Sequence, residues 1–151
     1  MYYVIDKDAL YNRADEEISR VADEAYSEDG ISLYDVVVLT ERDKSMVKRY
    51  MDDAIDLLVR RCFDICKFAP LVNQDETITP RLNFYVPDLD TSMESAIQEE
   101  ISKYIALYAV GVVLQSRRAA VVPQVTERVQ SAMDKAVALL KTRKAPNEQW
   151  S

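Results

Sequence analysis

Gly30 and Gly111 are the only glycines in a chain of 151 residues. Tight turns and positive-φ positions draw on glycine, so a β-sandwich or barrel, which needs many of them, is excluded. A dinucleotide-binding fold is excluded too, because its phosphate loop needs several glycines in one turn. Apolar residues make up 48% of the chain and charged residues 30%, enough for one core of ordinary domain size. The pattern predicts a single, mostly α domain over residues 1–151, a four-helix bundle with a short β or extended segment in the middle.

The chain contains no histidine. That removes Ser-His-Asp and Cys-His nucleophile systems, histidine-ligated zinc and the di-iron helix bundles. An enzyme is not expected, and no catalytic residue, cofactor or metal site is assigned. The one catalytic alternative is a carboxylate-only metal site. The acidic groups Asp15-Glu16-Glu17, Asp52-Asp53 with Asp56, and Glu99-Glu100 fall at spacings that place them on solvated helix faces. The pairs Arg60-Arg61 and Arg117-Arg118 suit helix ends, where cations complement the dipole. Cys62 and Cys66 read as small buried apolar residues of a reducing compartment, the alternative being a zinc shared between chains. Asp6 and Asp8 interrupt any early apolar run, and Tyr104 to Leu114 is too short to cross a bilayer. The expectation is a soluble product made in the cytoplasm, with no membrane partner.

The net charge of −7 is unevenly placed: residues 1–30 carry −6, 31–70 balance, 71–100 carry −6 and 101–151 carry +5. An acidic front and a basic end suit docking to copies of the same chain or to neighbours. They do not suit a protein that grips duplex DNA with its whole surface.

Apolar periodicity predicts four helices. The first runs from Lys7 to about Tyr26 behind an Asp6 N-cap, with Leu10, Ala14, Ile18, Val21 and Ala25 as its stripe. The second starts at Thr40-Glu41-Arg42-Asp43 and reaches about Phe68, halted by Pro70. Residues 69–90 form a loop and strand, in which Leu82, Phe84 and Val86 alternate with Asn83 and Tyr85. Val36–Leu39, or a strand of a neighbouring subunit, is the expected pairing partner. Thr91-Ser92-Met93-Glu94 opens a third helix ending near Arg118, whose stretch through Leu114 is apolar all round and must be covered on all sides. Gly111 within it predicts a close approach of another backbone. The fourth helix spans about 123–143, and residues 144–151 are a tail. Leu58, Ile65, Ile101, Tyr104, Ile105 and Val137 are the expected core.

Nine tyrosines against three phenylalanines favour surfaces that a partner buries while the polar tip stays satisfied. Phe84 and Tyr85 on the strand, with Tyr104 and Tyr108 on the third helix, are therefore assigned to a subunit interface. Trp150, alone in a polar tail, is assigned to partner binding, with Lys141, Arg143 and Lys144 steering the tail toward an acidic surface.

The Leu39-Thr40-Glu41-Arg42-Asp43 start of a long amphipathic helix, the Leu82-Asn83-Phe84-Tyr85-Val86-Pro87 strand ahead of Thr91, and the paired helices ending in Thr142-Arg143-Lys144-Ala145-Pro146 stand in a telling order. Over residues 36–146 the chain resembles the head–tail connector (adaptor) proteins of tailed bacteriophages, in particular those of Bacteroides-type gut phages. The resemblance implies a connector-like helical bundle, about a dozen copies of which form a ring beneath the portal protein. It implies a virion structural role at the head–tail junction: extending the portal channel, docking tail or further ring proteins, and helping to retain DNA, which is non-specific cargo. The alternative reading is a cytosolic helical adaptor or regulatory protein forming a small homo-oligomer through the Tyr104–Leu114 helix.

Overall fold

A computed structural model describes residues 1–24, 39–117 and 121–142. Within them the fold is mostly α, with four helices: α1 (Lys7–Glu24), α2 (Lys44–Arg61), α3 (Glu94–Arg117) and α4 (Val122–Leu140). Five short strands accompany them: β1 (Tyr2–Val4), β2 (Cys66–Phe68), β3 (Leu71–Val72), β4 (Ile78–Thr79) and β5 (Arg81–Phe84).

The helix starts follow local chemistry. Asp6 Oδ1 accepts from the backbone N–H groups of Asp8 at 3.2 Å and Ala9 at 3.1 Å, satisfying two donors that the first turn of α1 leaves open. A 3-10 turn over Glu41–Asp43 leads into α2. The Asp43 carboxylate reaches back to the Thr40 N–H at 2.8 Å and the Thr40 hydroxyl at 3.0 Å. It also receives Arg117 Nη2 at 2.6 Å, which ties the start of α2 to the end of α3. At the third helix the cap is Asp90 and not Thr91. Asp90 Oδ1 accepts from the N–H and the hydroxyl of Ser92, because a carboxylate one residue earlier outcompetes the threonine. Pro123 sits in the first turn of α4, where its missing N–H costs nothing.

α3 is the axis of the fold and packs against α1, α2 and α4. Its faces carry Ile97, Ile101, Tyr104, Ile105, Ala109, Val110, Val113 and Leu114, all buried. Most of this apolar helix is thus buried within one chain, while Tyr108, Gly111 and Val112 stay half-buried along its remaining side. Leu58, Ile101, Tyr104 and Ile105 are buried as expected, whereas Ile65 and Val137 are only half-buried at the edge of the core. A Cβ at Gly111 would meet the Val125 side chain at 3.6 Å, an ordinary contact. The close neighbour is a side chain and not the backbone the sequence suggested.

One acid departs from its expected solvated face. Glu17 is fully buried, since it shares the α1 stripe with Leu10, Ala14 and Ile18. Arg128 of α4 donates to its Oε2 at 2.8 Å, while Arg20 at 3.3 Å and Arg13 at 3.5 Å approach its Oε1. Paired this way, the carboxylate tolerates burial and links α1 to α4.

The second helix ends at Arg61, seven residues short of the expected Phe68. Cys62 N–H still bonds Leu58 O, but the Ile65 and Cys66 N–H groups both turn back to Cys62 O, and the chain leaves as β2. Strand pairing overrides the helical pattern here. The sheet order is β1-β5-β2, all antiparallel, with Tyr3 opposite Leu82 and Leu82 opposite Phe68. β5 therefore has both edges occupied within its own chain, by β1 and β2, which leaves no edge of it for a neighbour's strand. Leu39 is buried but belongs to no strand, and residues 36–38 lie outside the described residues. The first strand supplies the partner that the sequence reading missed, and Gln98 Nε2 donates to Tyr2 O at 3.0 Å on its outer edge. β3 and β4 form a separate two-stranded hairpin. No helix among the described residues is long and apolar enough to cross a membrane.

Candidate assembly surface

Ten large apolar side chains among the described residues are exposed, and eight of them lie on the strands or on the turns beside them. The helices account only for Met46 and Leu57. Phe63 is 77% exposed, Val72 65%, Ile78 63% and Phe68 58%. An apolar surface concentrated on one part of a fold marks a place where something else packs.

Three features make up this surface. The first is the outer face of the sheet, where alternation places Tyr2, Val4, Arg81, Asn83 and Lys67. The Arg81 guanidinium lies 4.0 Å from the centre of the Tyr2 ring, and Lys67 Nζ lies 6.0 Å from that of Tyr85.

The second feature is the β3–β4 hairpin, carried between Pro70 and Pro80. Glu76 N–H bonds Asn73 O, Asn73 N–H bonds Thr77 O, and Glu76 takes φ 67°, a tight turn closed by a left-handed residue. Asp75 Oδ1 accepts from the Thr77 hydroxyl at 2.6 Å and the Thr77 N–H at 3.1 Å, which holds its carboxyl below the usual value. Since Asn73 and Thr77 form the hydrogen-bonded pair, the next pair, Val72 opposite Ile78, is the non-bonded one whose side chains stand closest. They make one apolar knob.

The third feature is a groove of about 750 Å³ between α2 and the inner face of the sheet. Ile5, Ile55, Val59, Phe68, Pro80 and Leu82 form its walls, and Lys7, Asp52, Asp56 and Arg60 its rim. Lys7 Nζ and Asp52 Oδ1 are paired at 2.6 Å. Phe68 belongs to the inner row with Tyr3 and Leu82, yet it stays exposed because β2 is the edge strand over this groove.

The assigned interface residues divide. Tyr85 is exposed on the surface just described, and Tyr108 is half-buried with its ring 6.3 Å from that of Tyr104. Phe84 and Tyr104 are core residues, 1% and 3% exposed. Phe84 falls on the inner row of β5, and the Tyr104 hydroxyl donates to Ala54 O at 2.8 Å. Neither offers a surface in this chain. Lys141 is exposed at the end of α4, while Arg143, Lys144 and Trp150 lie outside the described residues. A helix drawn through residue 68 hides Phe63 and Phe68, and the single strand drawn at residues 82–86 leaves the β3–β4 hairpin inside a loop. Pro70 and Pro80 bracketing Leu71-Val72 and Ile78-Thr79, with Asn73 and Asp75 between, were the available signal.

Chemistry elsewhere is sparse. Among the described residues no group of three or more Cys, Asp or Glu converges as metal ligands would. Tyr3 and Ser102 share a 2.9 Å hydrogen bond beside the Arg13–Glu99 pair, in a niche of about 220 Å³. Burial pushes the Tyr3 hydroxyl up, so it stays protonated and cannot serve as a base. Burial also raises both thiols, that of Cys66 to about 12, which leaves them unreactive. No protein-family model, curated protein or solved structure matches the chain.

Proposed function

We propose that this chain is a virion structural protein, one subunit of a head–tail connector ring of a tailed bacteriophage. The ring extends the portal channel, docks the tail or a further ring, and helps retain packaged DNA. The observation that carries the reading is the gathering of exposed apolar side chains on the small β layer, while the helices expose only Met46 and Leu57 among their large ones. A folded chain that leaves such a surface open needs a partner to cover it. Contacts repeated head-to-tail between copies close into rings when the rotation allows. The net charge of −7 suits a conduit past which DNA phosphates slide without sticking. The portal is the second partner, and the basic end with Lys141, Arg143, Lys144 and Trp150 is the segment that reaches it.

Native mass spectrometry and negative-stain imaging test this, with the purified chain alone and mixed with a portal protein from the same genome. A closed ring, alone or on the portal, is the expected result. A chain that stays monomeric in both mixtures would overturn the reading.

A further inference from the structure

The groove between α2 and the sheet is an apolar hollow that none of the described residues fills, and the chain carries a knob that would fill such a hollow. We propose that the Val72–Ile78 pair at the hairpin of one copy seats in the α2–sheet groove of a second copy, with Glu76 of the first against Arg60 of the second. This rests on the ring reading and names the two surfaces that would meet.

Four observations point there. The groove's volume of about 750 Å³ accommodates several side chains, and its apolar walls under a charged rim have the anatomy of an interface centre. Val72 and Ile78 stand together on one face of the hairpin and remain exposed, so they do not fill the groove of their own chain. The arms behind them, Leu71–Val72 and Ile78–Thr79, are only two residues long and end at Pro80, itself a groove residue. The charges also match. Arg60 makes no ion pair among the described residues, whereas Lys7 is already held by Asp52, so Arg60 is the rim cation left to take a carboxylate. At the hairpin tip Asp75 is occupied by Thr77, which leaves the Glu76 carboxylate without a partner among the described residues. A hairpin laid along the groove with its apolar face toward the walls sets the Glu76 carboxylate at the rim while Val72 and Ile78 meet the apolar side chains. The contact joins two different surfaces and can therefore propagate around a ring.

Sedimentation velocity and native mass spectrometry of the full chain test the seating. The variants are Ile78→Asp, Glu76→Arg, Arg60→Glu and the combined Glu76→Arg with Arg60→Glu. Each single variant should weaken self-association at least tenfold, and the combined charge swap should recover most of the loss. Far-UV circular dichroism checks folding. If Ile78→Asp loses helical signal, the two exposed charge reversals and their mutual rescue carry the test. Variants that assemble as the wild type does would overturn the seating and leave the ring reading standing. A closed dimer sensitive to all of these changes would support the seating and overturn the ring. If Arg60→Glu weakens docking to the portal and not association between copies, the groove belongs to the portal and the seating is wrong. A wild type that is monomeric at every concentration, with and without portal, would sink both.

Discussion

Replacing Tyr104 by Phe removes one hydroxyl from the middle of the core, and its cost can be worked out from the geometry. The hydroxyl donates to Ala54 O at 2.8 Å and the residue is 3% exposed. The ring stays in place, so the apolar packing around it is kept. The Ala54 carbonyl retains its helical bond from the Leu58 N–H within α2, so no buried acceptor is orphaned. The penalty of about 1–3 kcal/mol for an unsatisfied buried group therefore does not apply, and what remains is the net contribution of one neutral hydrogen bond, about 0.5–1.5 kcal/mol. Tyr104→Ala also loses the ring and opens a cavity at the junction of α2 and α3, raising the cost to about 3–5 kcal/mol. Urea unfolding at two well-separated protein concentrations measures both. A Tyr104→Phe loss no larger than the few tenths of a kcal/mol typical of surface changes would refute the geometry. A loss that grows with protein concentration would instead return Tyr104 to a subunit interface.

Gly111→Ala should stabilise the chain by about 0.5–1 kcal/mol, because α3 gains helix propensity and the new Cβ meets only the Val125 side chain at 3.6 Å; thermal melts read the sign. Asp43 is held below its ordinary value of 3.8, chiefly by the hydrogen bond from Arg117. A depressed carboxyl contributes its stabilisation above the unfolded value and loses it as pH falls through the folded one. The stability advantage of wild type over Asp43→Asn should thus be full near neutrality and shrink below about pH 3.8, which a series of urea midpoints at acid pH would show. Cys62 and Cys66 should resist a thiol reagent near neutral pH in the folded chain and react fully in denaturant; fast labelling of the folded protein would contradict their burial. Deleting residues 145–151 should leave helical content and melting temperature nearly unchanged while weakening docking to the portal ring. Unchanged docking would end the anchoring role of Trp150.

The sequence by itself determined the four helices, most of their starts and most of the core. Apolar spacing states a helix's inward face, and Asp6, Thr40 with Asp43, and Pro123 act within a few residues of themselves. The mostly α class followed from two glycines and the periodicity. What only the tertiary structure decided involves groups far apart along the chain. The α2 pattern continues past Arg61, yet residues 66–68 become strand because β5 offers them a ladder that no local preference encodes. The terminal Tyr2–Val4 segment is too short to signal a strand alone and becomes one by closing the other edge of β5. Glu17 reads as one of three adjacent surface acids until Arg128, 111 residues away, makes its burial tolerable. Phe84 and Tyr104 passed for interface residues because an apolar side chain carries the same signature whether its cover comes from its own chain or from another. The exposed apolar surface on the strands stayed illegible for the same reason. Phe68, Val72 and Ile78 are ordinary core-type residues, and only the folded chain shows that nothing within the described residues covers them.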